Sequence, residues 1–359
     1  MRPAAASPYD QSGLSVKRLL FGSSLAAALL LSLGAVAGAE TNIIDVHDIA
    51  GLTLMSSRAQ VIITTWDRPQ IRIDSSGPVN IEHQVHAIKI DGPAARPVTI
   101  LAVKSANGRL ELPQEQFVVQ MPADGTPFDD TIVSGTGVLK ILVPRNLTYL
   151  GVRLARGRVA IRGLRTTFIV KVGRGGVALD HMSGEGYVQV LEGPISANDS
   201  SFTRLRARTG ANDVVMERCH AKQIDVSSIN GTILYDDGTF EPGIAHFESV
   251  NGNVAIGLAS GGAQIGGQTQ GQIFTALDHG SNANVRPHEV NATIGGGGPY
   301  VSIASTSGTL YLYNGSLRKS GRRPNLPSAW AKLDKAIARF RARQFPGKSP
   351  KPIAPPIRF

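Results

Sequence analysis

A single cysteine, Cys219, stands in 359 residues, so neither an intrachain disulfide framework nor a multi-cysteine metal site can form. Charged residues make up only 18% and aromatics 6%, against 42% hydrophobic. That balance excludes a disordered polyelectrolyte and leaves enough apolar material for a substantial core. After the N-terminal segment, no run reaches membrane-spanning length. There is no Gly-x-Ser-x-Gly element and no dinucleotide fingerprint. The run Gly295–Gly298 lacks the Lys-Ser/Thr of a phosphate loop and reads as a turn.

The formal charge of +10 is unevenly spread. Residues 318–359 hold twelve Lys/Arg and one acid, Asp334, whereas residues 40–317 carry 22 basic and 25 acidic groups. The body is therefore nearly neutral, and a diffuse nucleic-acid-binding face is not expected. At the other end, Lys17 and Arg18 precede an apolar stretch, Leu19 to Ala39, that closes on Ala37-Gly38-Ala39. These are the three parts of a secretory signal over residues 1–39, with cleavage before Glu40. The expected location is exported: periplasm, cell surface or medium. Retention of the segment as an anchor is the competing reading.

What the chain has in quantity is glycine, 40 residues, and much of it is periodic. Gly-x-apolar-x-apolar recurs from Gly157, Gly175, Gly193, Gly231, Gly252, Gly271 and Gly308, with a degenerate unit at Gly210 and a double step of 37 before the last. The missing anchor falls near Val290-Asn291-Ala292. Second alternating runs lie between anchors, as in Val170-x-Val172 and Val188-x-Val190. Period-two alternation gives each run one apolar face. A unit of two short strands buries that face only by stacking on the next. The pattern predicts an all-β, single-domain β-solenoid of about 19-residue rungs over residues 146–317, preferred to a β-sandwich, which has no reason to keep the glycine in phase.

Residues 40–145 are less regular and read as first rungs or a cap. Within them, 60–65 and 70–74 form two strands joined through Trp66-Asp67-Arg68-Pro69, and 105–131 form a long excursion. The Val61–Ile73 hairpin carrying Trp-Asp, the step Ile141-Leu142-Val143-Pro144-Arg145 and the glycine rungs after it resemble the bacterial putative adhesin domain over roughly residues 44–315. The resemblance implies an extracytoplasmic glycine-rich β-solenoid with adhesin-like or cell-envelope roles. It carries over no catalytic residues and has no counterpart for the basic C-terminal segment.

Candidate chemistry is thin. A corner position brings Arg162, Asp180, Asn198, Val215 and Asp236 into one column, with Gly163, His181, Asp199, Met216 and Asp237 in the next. Asp180 and Asp236 fall three rungs apart, about 14 Å, too far for a carboxylate pair. A polysaccharide-acting enzyme would use a corner stack such as His181, Asp199 and Asp237, and a weak cation site could use Asp236 and Asp237. His83-x-x-His86 lacks a third metal ligand, and Cys219-His220 has no catalytic context. No enzyme, cofactor or metal is expected.

Residues 318–359 differ from the rest. Ser328 caps a helix running to about Gln344, with Trp330, Leu333, Ile337 and Phe340 as an apolar stripe and Lys332, Lys335, Arg339, Arg341 and Arg343 on other faces. Pro346 stops it, and the last twelve residues hold four prolines. The helix reads either as a cap on the solenoid or as a surface for anionic lipid, lipopolysaccharide or an acidic polymer. The whole reads as a non-enzymatic exported envelope module, adhesin-like or scaffolding, for which an envelope polysaccharide or protein is the expected partner. The alternatives are a polysaccharide-acting enzyme and a membrane-surface tether.

Overall fold

The computed structural model describes residues 40–45, 49–75, 80–83, 87–91, 98–104, 138–278 and 280–316. The signal segment 1–39, the excursion 105–131 and the tail 318–359, with its expected helix, lie outside the described residues. Among the described residues every regular element is a β-strand, so the chain there is all-β.

The first seven strands are β1 (Glu40–Asp45), β2 (Ile49–Trp66), β3 (Gln70–Ser75), β4 (Asn80–His83), β5 (Ala87–Asp91), β6 (Val98–Lys104) and β7 (Val138–Pro144). They mix directions. β4, β5 and β6 form an antiparallel meander that ends on β2, while β7 lies parallel to β2. The hairpin expected across residues 61–73 does not form. Residues 67–69 do turn the chain, with Trp66 Nε1 donating to the Gln70 carbonyl at 2.6 Å. But β3 pairs with β1 and β7, and β7 stands between β3 and β2. Local alternation cannot show that a strand arriving some seventy residues later takes the central place.

Two long strands follow, β8 (Tyr149–Arg162) and β9 (Arg165–Asp180), the first paired in parallel along β2. The next strands come in couples: β10 (Ser183–Glu192) and β11 (Ile195–Asn198), β12 (Ser201–Ala211) and β13 (Val214–Glu217), β14 (His220–Asn230) and β15 (Ile233–Phe240), β16 (Ile244–Ser249) and β17 (Val254–Leu258), β18 (Ala263–Thr269) and β19 (Ile273–Ala276). After β20 (Asn282–Val285) and β21 (Glu289–Ile294), the last couple is β22 (Tyr300–Ser305) and β23 (Leu310–Asn314).

Parallel pairing joins each couple to the next as two ladders. One runs through the front of β8 and β9, then β10, β12, β14 and β16; the other runs through their rear halves, then β11, β13, β15 and β17. A short pairing of His220-Ala221 with Thr239-Phe240 links β14 to β15. β9, β10, β12, β14, β15, β13 and β11 thereby close as a ring of seven parallel strands, to which the others add. Alternation supplies the core. Val152, Val170, Val188, Ala207, Val226 and Phe247 form an inward column of the first ladder. Val159, Val177, Ile195, Val214, Ile233 and Val254 form one of the second. Both belong to a single hydrophobic cluster.

The anchor glycines stand in file where the chain passes between ladders. Gly175 has φ 137°, and a Cβ there would fall on the Gly157 carbonyl; Gly193 meets Gly175 in the same way. Buried hydroxyls serve the carbonyls of this file: Thr209 donates to Gly193 at 2.8 Å, Ser249 to Gly231 at 2.9 Å and Ser305 to Gly252 at 2.7 Å. Without them these inward carbonyls would be costly to bury.

Two expectations need correction. The anchor of the degenerate unit is Asn212, with φ 122°, and not Gly210; the Gly231 backbone packs on its carbonyl. Thr203, an extra residue opposite the Gly184/Glu185 step, lengthens that unit by one, and Gly210 lies two places short of the true anchor. Second, the 37-residue step before Gly308 is not a double lap. β21 turns antiparallel onto β18, and β22 and β23 slot between the couples β16/β17 and β18/β19. In the file Gly308 therefore stands between Gly252 and Gly271.

Candidate functional site

The corner at the ends of β8, β9, β11 and β13, with the matching position inside β15, gathers most of the expected site residues. Pairing aligns Arg162, Asp180, Asn198, Glu217 and Asp236. The next position runs Gly163, His181, Asp199, Arg218 and Asp237, all with φ between 46° and 74°. Each of the first four donates its N–H to the carbonyl one step on, for example His181 to Asn198 at 3.1 Å and Arg218 to Asp236 at 2.9 Å. Only the sharp turn explains four non-glycine residues in the left-handed region. Glu217 and Arg218 occupy the places expected for Val215 and Met216, as the shifted anchor requires.

Asp180, His181 and Asp199 do converge, with ligand atoms within 4.8 Å of one another. Their charges are already matched. Arg162 lies 2.6 Å from Asp180, His181 Nδ1 lies 2.9 Å from it, and Arg218 forks onto Asp199 at 2.6 and 2.8 Å. Two guanidiniums against two carboxylates make a hostile setting for a divalent cation. Asp237 is separated from Asp199 by Arg218, so the three residues considered for polysaccharide chemistry do not converge. Asp180 and Asp236 stand three pairing steps apart, as expected. Asp236 is buried and accepts from Tyr313 and Ser316, a role different from cation binding.

Cys219 is wholly buried, and burial pushes its thiol up to about 12. Its Sγ lies 3.6 Å and 3.5 Å from the Ala197 and Glu217 carbonyls, and His220 Nδ1 instead contacts Thr239 Oγ1. No Cys–His couple forms. His83 ends β4, and His86 lies outside the described residues. Gly295–Gly298 all have positive φ and form the turn between β21 and β22. Trp330, Lys332, Lys335, Arg339, Arg341 and Arg343 lie outside the described residues.

A feature not singled out from the sequence is the outward face of the first ladder. Arg204, Arg206 and Arg208 alternate with buried Leu205 and Ala207, which puts three guanidiniums in a row on one strand. Arg206 and Arg208 share Asp225 at 2.9 and 3.3 Å, and Arg204 reaches Gln223 at 2.9 Å and Glu185 at 3.5 Å. One ladder step from Arg206 is Tyr187, with Lys171 Nζ 5.6 Å from its ring centroid and its hydroxyl donating to Gln189 at 3.1 Å. This face is basic and partly aromatic, within a body that is nearly neutral as a whole. Its signal was the period-two Arg-x-Arg-x-Arg of residues 204–208.

No family model matches the chain, and no curated protein matches it. The family resemblance read from the sequence therefore has no matching family model behind it. Among solved structures the chain is similar to a putative cell adhesion protein from Clostridium sporogenes ATCC 15579, with 9% identity and a TM-score of 0.28, over 77% of this chain and 100% of that one.

Proposed function

We propose that this chain is a non-enzymatic, exported binding module of the cell envelope, built as a β-solenoid, whose first-ladder face holds an acidic polysaccharide. For the solenoid, the support is register: Thr167 faces Glu185, Arg206 faces Asp225 and Asp225 faces His246, offsets of one repeat each, with the anchor residues in file. For export, the support is the signal-like segment 1–39. The observation that carries the function is the arginine row 204–206–208 beside Tyr187. Parallel strands about 4.8 Å apart present such groups as a regular flat grid. An extended polymer of carboxylated sugars can lie on this grid, with guanidiniums pairing to carboxylates and the ring of Tyr187 against a sugar face.

The test is binding of polygalacturonate, with dextran as the neutral control. The double variant Arg206→Glu/Arg208→Glu is expected to lose at least about tenfold in affinity, and parent binding is expected to weaken with salt. Unchanged binding by the variant would remove the face from the proposal. Release of new reducing ends by the parent would replace the module with an enzyme.

A further inference from the structure

The outer face of the second ladder breaks the rule that its neighbours keep. Strand residues alternate inward and outward, and on β12 the outward ones are exposed. On β13, β15 and β17 both faces are buried over the paired residues. Val215, Leu234, Ala255 and Tyr311 stack as one outward column, and Leu234 and Ala255 have 0% exposure. With Tyr313 they make a hydrophobic cluster separate from the main core. The partly buried hydrophobics described against it are Phe274 and Ala276, from β19 of the same ladder. Residues of one ladder cannot roof their own outer face, so the cover comes from elsewhere.

We propose that the occupant is the C-terminal segment 328–344 of the same chain, lying as a helix across this column through Trp330, Leu333, Ile337 and Phe340. Length fits. From Ser196 to Phe274 the column crosses five strand spacings, about 24 Å, and a 17-residue helix is about 25 Å long. Position fits as well. The chain leaves the ladder from β23, which carries Tyr311 and Tyr313, and Ser316 is tied to Asp236 at 2.9 Å on this face. Eleven residues, 317–327, then span at most about 36 Å, enough to reach either end of the column.

Charge separates this occupant from the undescribed stretch inside the chain. The face is flanked by Asp180, Asp199, Glu217, Asp236 and Asp237, with Arg162 and Arg218 between them. Residues 105–131 carry five acids and one base and would be repelled; residues 318–359 carry twelve bases and one acid. Helical spacing puts Arg341 beside the apolar stripe. It puts Lys335 and Arg339 opposite the stripe, with Lys332 and Arg343 toward its other flank, as an outward basic strip.

Trp330 reports on the contact, because Trp66 is the only other tryptophan. In the full chain carrying Trp66→Phe, acrylamide is expected to quench Trp330 several-fold less steeply than in the urea-unfolded chain. Leu234→Asp should restore free quenching with the far-ultraviolet spectrum unchanged. Leu333→Asp/Ile337→Asp leaves the ladder untouched and should expose the column, read as a several-fold rise in bound anilinonaphthalene sulfonate. Free quenching in the parent overturns the proposal. So does a column that stays closed to the dye in the helix variant, which would assign the cover to another segment. Shielding that fades on dilution as a dimer dissociates overturns it in favour of a second copy.

Discussion

Tyr313 donates its hydroxyl to Asp236 Oδ1 at 2.8 Å across 77 residues of sequence, and both side chains are buried. Ser316 donates to the other oxygen. Burial, and then the Asp236 charge, push the Tyr313 hydroxyl well above its usual range, so it remains a donor at any working pH. The last strand is thus latched to β15 through a buried carboxylate. Tyr313→Phe withdraws a donor from that carboxylate and is expected to cost about 1–3 kcal/mol in urea unfolding.

The glycine file gives a paired comparison. Gly175→Ala sets a methyl group on the Gly157 carbonyl at φ 137°, whereas Gly261, at φ 75°, has open space around the same position. Gly261→Ala is expected to lose about 1–2 kcal/mol for backbone strain alone. Gly175→Ala should lose more than about 3 kcal/mol or fail to accumulate folded. Equal losses would mean that crowding in the file is relieved cheaply.

Asp213 accepts the Thr232 N–H at 2.8 Å, and Asn253 accepts the Thr309 N–H at 2.9 Å in the corresponding place. Burial raises the Asp213 carboxyl above its ordinary 3.8, partly offset by that hydrogen bond. A raised folded-state pKa contributes stability below 3.8 that is lost as pH rises through the folded value. Asp213→Asn, which keeps the acceptor without the charge, should therefore raise the thermal midpoint at pH 7. The gain should shrink as pH falls toward 3.8.

Cys219 is expected to resist Ellman's reagent at pH 8 in the folded chain and to react stoichiometrically in urea. Its thiol is held near 12 by burial, and reactivity needs both thiolate and access. Rapid reaction without denaturant would show that the corner between β13 and β14 opens readily.

What the sequence disclosed, and what it hid, divides by range. Alternation such as Val188-x-Val190 reports burial directly, because a strand's faces are set within two residues, and the anchors from Gly157 to Gly193 keep an 18-residue step. Asn212 was hidden because its unit contains a glycine, Gly210, two places early, and because a bulge at Thr203 has no composition of its own. The orders β2–β7–β3 and β17–β23–β19 were hidden for another reason. They depend on which edge remains open when a late strand arrives, and no local pattern records that. The corner acids were foreseen as neighbours, but their neutralisation by Arg218 was not, since it rests on the same two-residue shift.

Insertion of β22 and β23 between couples made earlier has a consequence for biogenesis. A chain released up to about residue 299 would hold β16/β17 on one side and β18/β19 on the other with an empty slot between them, each presenting unpaired backbone to the opening. The closing segment works as a keystone: the stack reaches full strength only after the sequence past 300 is available. Until then the half-built edges are the places where strands of another molecule would dock.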